Sequence, residues 1–150
     1  MIMSKRGSIP FELTLKVRDT CLCLHVQRAA RAVARRYDEA LRPLGLTNGQ
    51  FSLMMALNRP KPARMAEVAA LLAMDRTTLT ANLKPLERRN LVTVTPDAAD
   101  KRNRLMTLTG EGRALLAAAV PVWEEAQAAN ESLLVASDAD GLRADLLALT

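Results

Sequence analysis

The sequence predicts a mainly α-helical chain interrupted once by a small β-hairpin. Three observations carry this. Alanine and leucine dominate an apolar fraction of 49% while aromatics are only 3%, the composition of helices packed through small aliphatic side chains. Apolar residues recur at spacings of three and four in the long segments. Only two short runs, 91–95 and 104–108, show the alternating, β-branched character of strands. At 150 residues the chain reads as a single domain over 1–150, able to bury one core without disulfides or metal.

Leu22, Val26, Ala29, Ala30, Val33, Tyr37, Ala40 and Leu41 make one apolar stripe, predicting an amphipathic helix over about 18–42. Arg42-Pro43-Leu44-Gly45 ends it. Thr47 is placed to cap a second helix, about 48–58, with Phe51, Leu53, Met54, Ala56 and Leu57 largely buried. Pro60 and Pro62 break that helix and leave room for a short extended segment. Met65, Val68, Ala69 and Leu72 share one face of a helix over about 65–72. After a tight turn at Ala73-Met74, Asp75 caps a further helix over about 76–89, and Asn90 suits the left-handed position beyond its end. The two strand-like runs, joined across Pro96–Asp100, form a hairpin. Thr109 caps a long helix from Gly110 to about Ala136, bent at Pro121, and Ser137-Asp138 opens a last short helix. A helix-turn-helix followed by a basic hairpin is a winged helix-turn-helix.

Charge supports a polyanionic partner. Residues 59–104 hold ten Lys/Arg against five acids, and residues 1–42 hold nine against four. Residues 105–150 reverse the sign, with two bases and seven acids. This suits a polyanion-binding middle between ends of opposite charge that attract each other or a partner subunit.

On the 76–89 helix, steps of 100° put Leu79, Leu83 and Leu86 toward the core. Thr77, Thr80, Ala81, Lys84 and Arg88 fall opposite, small at one end and cationic at the other. Such a face fits a major groove about 12 Å wide. Arg76 and Thr78 at the helix start suit phosphates. Pro85 implies either a bend aiming the cationic end at the backbone or an earlier stop. At the hairpin tip Lys101, Arg102 and Arg104 are cations suited to a narrow minor groove. Asp100 braces the arginine.

The segment Met65–Thr109 resembles the DNA-binding core of the multiple-antibiotic-resistance regulator (MarR) family. The resemblance is carried by Asp75–Leu83, by Leu86–Val92, and above all by the wing Asp100-Lys101-Arg102-Asn103-Arg104-Leu105-Met106-Thr107-Leu108-Thr109. Tyr37-Asp38 and Leu41–Thr47, with Gln50-Phe51, resemble the family's first helix junction. Asn90 stands where the family commonly has glycine. The resemblance implies helices about 18–42 and 110–150 that build a homodimer, a winged core over about 47–109, and a palindromic double-stranded operator, usually repressed. Two recognition helices in successive major grooves sit about 34 Å apart, and one subunit offers only one.

For the signal, two readings stand open. Cys23, with Tyr37 fourteen residues on, resembles the organic-hydroperoxide-resistance (OhrR) subgroup and marks a redox sensor for a peroxide effector. The two lie about 21 Å apart along one helix, so contact would cross the dimer. The subgroup's second tyrosine, expected near Asn48, is missing, and a small apolar thiol buried in a dimer helix is the competing reading. Alternatively His25, Arg28 and Arg31, with Arg35, supply cations beside apolar walls of the 48–58 helix for a small-molecule ligand. Cys21 and Cys23, two residues apart on one helix, point to opposite sides and do not bridge. Cys21 and His25 share a face, but two ligands do not make a metal site.

One histidine, no nucleophile elbow and no phosphate loop argue against an enzyme, and no cofactor is expected. A winged-helix protein-interaction module is the alternative, though it has no need of cations on both helix and wing. No apolar run reaches the roughly 18–20 residues of a membrane span. The start, Met1–Arg6, lacks the apolar stretch of a signal peptide, so a cytoplasmic protein with reduced thiols is expected.

Overall fold

The structure, a computed structural model, describes residues 7–150. Lys5 and Arg6, part of the charged start that the leader argument uses, lie outside the described residues. The chain folds as two compact units, one reaching to Arg35 and the other covering Arg36–Thr150.

The helix expected over 18–42 is two helices, α1 (Phe11–Thr20) and α2 (Leu22–Leu41), separated at an extended Cys21 (φ −68°, ψ 110°). The cause is local. Asp19, Thr20 and Cys21 are weak helix formers, and the Thr20 hydroxyl donates to the Lys16 carbonyl at 2.6 Å, competing with the backbone ladder. The Cys21 carbonyl then accepts the His25 backbone N–H (3.1 Å) and its ring Nδ1 (2.7 Å), which starts α2. The apolar stripe begins only at Leu22, just after this break, so its periodicity does not mark it. Phe11, Leu13, Leu15 and Val17 alternate at period two, and α1 buries none of its residues. Cys21 therefore lies outside the helix that holds Cys23, and the two thiols do not take opposite sides of one helix as expected.

In the second unit α2 ends in a 3₁₀ turn, Arg42–Leu44, and Gly45 takes the left-handed conformation (φ 67°) that suits glycine. Thr47 and Gln50 form a reciprocal capping box (3.2 and 3.1 Å) that opens α3 (Asn48–Ala56). A two-residue strand β1 (Ala63–Arg64) leads into α4 (Met65–Leu72), a turn through left-handed Ala73, and α5 (Arg76–Arg88). Asn90 adopts the expected positive φ of 58°. Strand β2 (Val92–Pro96) starts one residue later than the apolar run, because the Leu91 N–H is spent on the Leu86 carbonyl (2.9 Å). Strand β3 (Arg104–Leu108) falls where expected. The antiparallel sheet has the order β1-β3-β2, with Ala63 opposite Met106 and Val92 opposite Leu108.

The Thr109 hydroxyl accepts from Gly112 N (2.9 Å) and donates to the Asn90 carbonyl (2.7 Å), joining the hairpin to α6 (Gly110–Glu131). Helix α6 runs through Pro121 but stops short of Ala136. There the Asn130 amide donates to the Ala126 carbonyl (2.8 Å) and the Ser132 hydroxyl to that of Ala129 (2.7 Å), while the backbone tightens to i→i+3 bonds at Leu133 and Leu134. Asp138 caps α7 (Ala139–Ala148) through Gly141 N at 2.6 Å.

The core gathers Leu41, Leu53, Met54, Val68, Leu79, Leu86 and Met106, each under 2% exposed. Each such side chain contributes about 1.5–3 kcal/mol of burial, and together they fix α5 against α3, α4 and the sheet. A polar chain ties the end of α2 to α6 and α7. The Tyr37 hydroxyl donates to Gln127 Oε1, the Gln127 amide donates to Glu131 (2.6 Å), and Arg143 donates to Glu131 (2.8 Å) and Asp140 (2.6 Å).

Candidate nucleic-acid interface

Helix α5 starts where its sequence says it should. The Asp75 carboxylate accepts the Thr78 N–H at 2.7 Å, satisfying an orphan donor of the first turn. Hydrogen bonds from the Thr78 backbone and then its hydroxyl hold Asp75 below the usual carboxylate range. Thr78 is thereby engaged with the cap. Leu79, Leu83 and Leu86 are buried, and Arg76, Thr77, Ala81, Lys84 and Arg88 are exposed on the outer side. The Thr80 hydroxyl donates to the Arg76 carbonyl (2.8 Å), which leaves its oxygen as an acceptor. Pro85 brings no N–H to the Ala81 carbonyl, yet the helix continues to Arg88 rather than stopping early.

The wing is shaped by two aspartates. Asp97 is the buried charged residue of the unit, at 7% exposure. It accepts from Ala99 N (2.9 Å) and faces Arg64 of β1 at 3.5 Å, so the base of the loop is anchored to the neighbouring strand. At the tip Asp100 accepts from both Arg102 N (3.1 Å) and Arg102 Nε (3.2 Å). The Arg102 side chain remains 91% exposed. It is aimed without being buried.

Two hollows show which residues the fold unites. Arg76, Thr77, Thr80, Ala81 and Lys84 line an open concavity of about 430 Å³ along α5. A second cleft, of about 290 Å³, joins helix to wing, with Arg76, Thr80, Lys84 and Glu87 on one wall and Arg102 and Arg104 on the other. Four cations thus face one carboxylate, an arrangement that concentrates positive potential. Arg88 and Lys101 are exposed but line neither hollow. Sequence reasoning did not single out Glu87 or Arg64 for these places. Glu87, four residues before Leu91 on a mixed face, carries no periodic signal, and the Arg64–Asp97 pair depends on strand order.

In the first unit, His25, Arg28, Arg31 and Arg35 line an open concavity of about 530 Å³ with Ala29 and Ala32, all on α2. In the second unit Phe51, Met55, Leu71, Leu72, Val120 and Trp123 line an apolar hollow of about 440 Å³, where the Phe51 and Trp123 rings stack at 6.2 Å. Cys23 is exposed and accepts from the Gln27 amide at 3.4 Å, and Cys21 is partly buried. Among the described residues no group of three or more His, Cys, Asp or Glu is gathered to hold a metal, and no helix is long and apolar enough to cross a membrane.

Known proteins resemble this chain in sequence and fold. The profile of the MarR family matches residues 44–103. The M. tuberculosis transcriptional regulator MosR, solved in complex with DNA, is 41% identical, with a TM-score of 0.78 over 87% of this chain and 93% of that one. BpsR of Bordetella bronchiseptica, whose structure concerns regulation of its DNA binding by 6-hydroxynicotinic acid, is 26% identical, with a TM-score of 0.76 over 85% and 91% of the two chains. The transcriptional activatory protein BadR of Rhodopseudomonas palustris is 33% identical over 106 residues, 69% of this chain. That match spans 57% of BadR's own length.

Proposed function

The chain belongs to the MarR family, and from that premise we propose that it is a transcriptional regulator binding a palindromic DNA operator as a homodimer. The observation that carries this reading is the cleft shared by α5 and the wing, where Arg76, Thr80 and Lys84 meet Arg102 and Arg104. Helix α5 enters the major groove with Thr77, Thr80 and Lys84 toward base edges, while Arg76, Thr78 and Arg88 meet phosphates. Lys101, Arg102 and Arg104 reach the adjacent minor groove, with Asp100 bracing the wing.

The dimer reading is supported by apolar side chains left open to solvent near both ends of the chain: Phe11, Val17, Leu22, Leu133, Leu147 and Leu149. The regulator acts in the cytoplasm as a repressor and releases DNA on binding a small molecule or on oxidation of Cys23. The cationic concavity of His25, Arg28 and Arg31 fits an anionic ligand, the class to which BpsR's 6-hydroxynicotinic acid belongs. Such a ligand weakens DNA binding only by favouring a dimer geometry that misfits the operator.

The test is Arg102→Ala, measured by fluorescence anisotropy on a duplex that the wild type selects from a random pool. We expect about a tenfold or greater loss of affinity with the dimer intact, and a salt slope shallower by about 0.9 if Arg102 neutralises one phosphate. Unchanged binding at fixed salt would remove the wing from the interface. A protein-interaction module would select no duplex at all.

A further inference from the structure

Arg89 is a cation of the DNA-reading helix that lines neither hollow of the interface. It stands at the C-cap of α5, and its guanidinium is held by backbone carbonyls of another element. Nη1 donates to the Gly45 carbonyl at 2.7 Å and Nη2 to the Leu44 carbonyl at 3.2 Å. Both acceptors belong to the corner where α2 ends, the 3₁₀ turn Arg42–Leu44 and the left-handed Gly45. Carbonyls at a helix end lack intrahelical partners and carry partial negative charge, so a forked cation is the side chain suited to hold two of them.

The corner is made for this contact. A Cβ at residue 45 would sit 3.1 Å from Arg89 Nη1, and the positive φ there disfavours any side chain. Its other side is stiffened by Asp38, whose carboxylate accepts both Asn48 N (2.7 Å) and the Asn48 amide (2.8 Å). Farther along α5, Asn82 lies against Gly49, with its Oδ1 2.8 Å from where a Cβ would be. The recognition helix is thus keyed at its middle and clamped at its end to the α2–α3 corner.

We infer that Arg89 is a positioning residue: its clamp on the α2–α3 corner fixes the angle at which α5 is presented to DNA. This rests on the DNA-binding reading above. A residue that sets angle acts on specific binding, where base edges must be met. A residue that meets phosphate acts on all DNA alike and on its salt dependence.

The experiment compares wild type, Arg89→Ala, Arg89→Lys and Gly45→Ala on two duplexes of equal length, the one selected by wild type and one of scrambled sequence. Arg89→Ala is expected to lose about tenfold on the selected duplex, the scale of one charge-assisted hydrogen bond. Binding to the scrambled duplex and both salt slopes stay as in wild type. Arg89→Lys recovers only part of the loss, because an ammonium cannot fork to two carbonyls. Gly45→Ala, which crowds the guanidinium without touching the charge of α5, reproduces the same pattern. Equal losses on both duplexes with a slope lower by about 0.9 would make Arg89 a phosphate contact and overturn the inference. A lower melting temperature with undiminished preference for the selected duplex would make the clamp merely structural and overturn it too. A wild type that selects no duplex sinks the DNA-binding reading itself, a result distinct from either.

Discussion

Replacing Gly112 by alanine tests how closely α6 approaches the hairpin. A Cβ built there lies 2.1 Å from the Leu91 carbonyl oxygen, which belongs to the backbone and has no rotamer by which to move aside. That oxygen also accepts the Thr109 N–H at 3.0 Å, so pushing it away loosens the link between wing and helix. Relieving the overlap needs a shift of about 1 Å in packed backbone, at the upper end of overpacking costs, about 3 kcal/mol. Alanine recovers at most about 1 kcal/mol over glycine, the helix-interior value, since Gly112 lies in the first turn, leaving a net destabilisation of about 2 kcal/mol or more. For a chain of this size that lowers the melting temperature by roughly 4–8 °C. Gly110→Ala is the control, since a Cβ there meets nothing within 4 Å. It is expected to be neutral or slightly stabilising. Thermal unfolding of both variants at one protein concentration decides the matter, because an associating chain melts in a concentration-dependent way. If Gly112→Ala proves as benign as Gly110→Ala, the packing of α6 on Leu91 is wrong.

Three further outcomes follow from the same structure. Tyr37 is the chain's one tyrosine, and burial, then the nearby Glu131, push its hydroxyl above its ordinary range. Ultraviolet titration of the phenolate should therefore show a midpoint above about 10, and Tyr37→Phe should cost about 0.5–1.5 kcal/mol for the lost bond to Gln127. The Asp75 cap depends on a carboxylate whose folded pKa is depressed by Thr78. Its stabilisation is full above the unfolded value near 3.9 and fades as pH falls through the lower folded one. Asp75→Ala should melt below wild type at neutral pH, with the gap closing in acid, and a gap constant down to about pH 2 would contradict the cap. Finally, organic peroxide added to the DNA complex should release wild type but not Cys23→Ser if the thiol is the sensor. Equal release of both removes that route.

Much of this was legible in the chain. Asp75 three residues before Thr78, Thr47 before Gln50 and Thr109 before Gly112 each announce a helix start, because capping is a contact between near neighbours. The 3.6-residue rows of Leu79, Leu83 and Leu86 against Thr77, Thr80 and Lys84 gave α5 its two faces for the same reason. The break at Cys21 was not legible. It comes from a side chain competing for one carbonyl, which leaves the apolar stripe intact, and with it fell the geometry assumed for Cys21 and Cys23. The end of α6 at Glu131 escaped in the same way, through Asn130 and Ser132.

What the sequence determined by itself was therefore local: the order of the elements, the caps, the exposed cationic side chains of helix and wing, and the left-handed turn at Asn90. What only the tertiary structure decided were the meetings between distant residues. The approach of Arg102 to Lys84, the Arg64–Asp97 brace, the Arg89 clamp on Gly45 and the fit of Gly112 beneath Leu91 all join different elements. Periodicity fixes which way a side chain faces along its own helix or strand. Which neighbour it meets depends on how the core draws those elements together, and that is a property of packing.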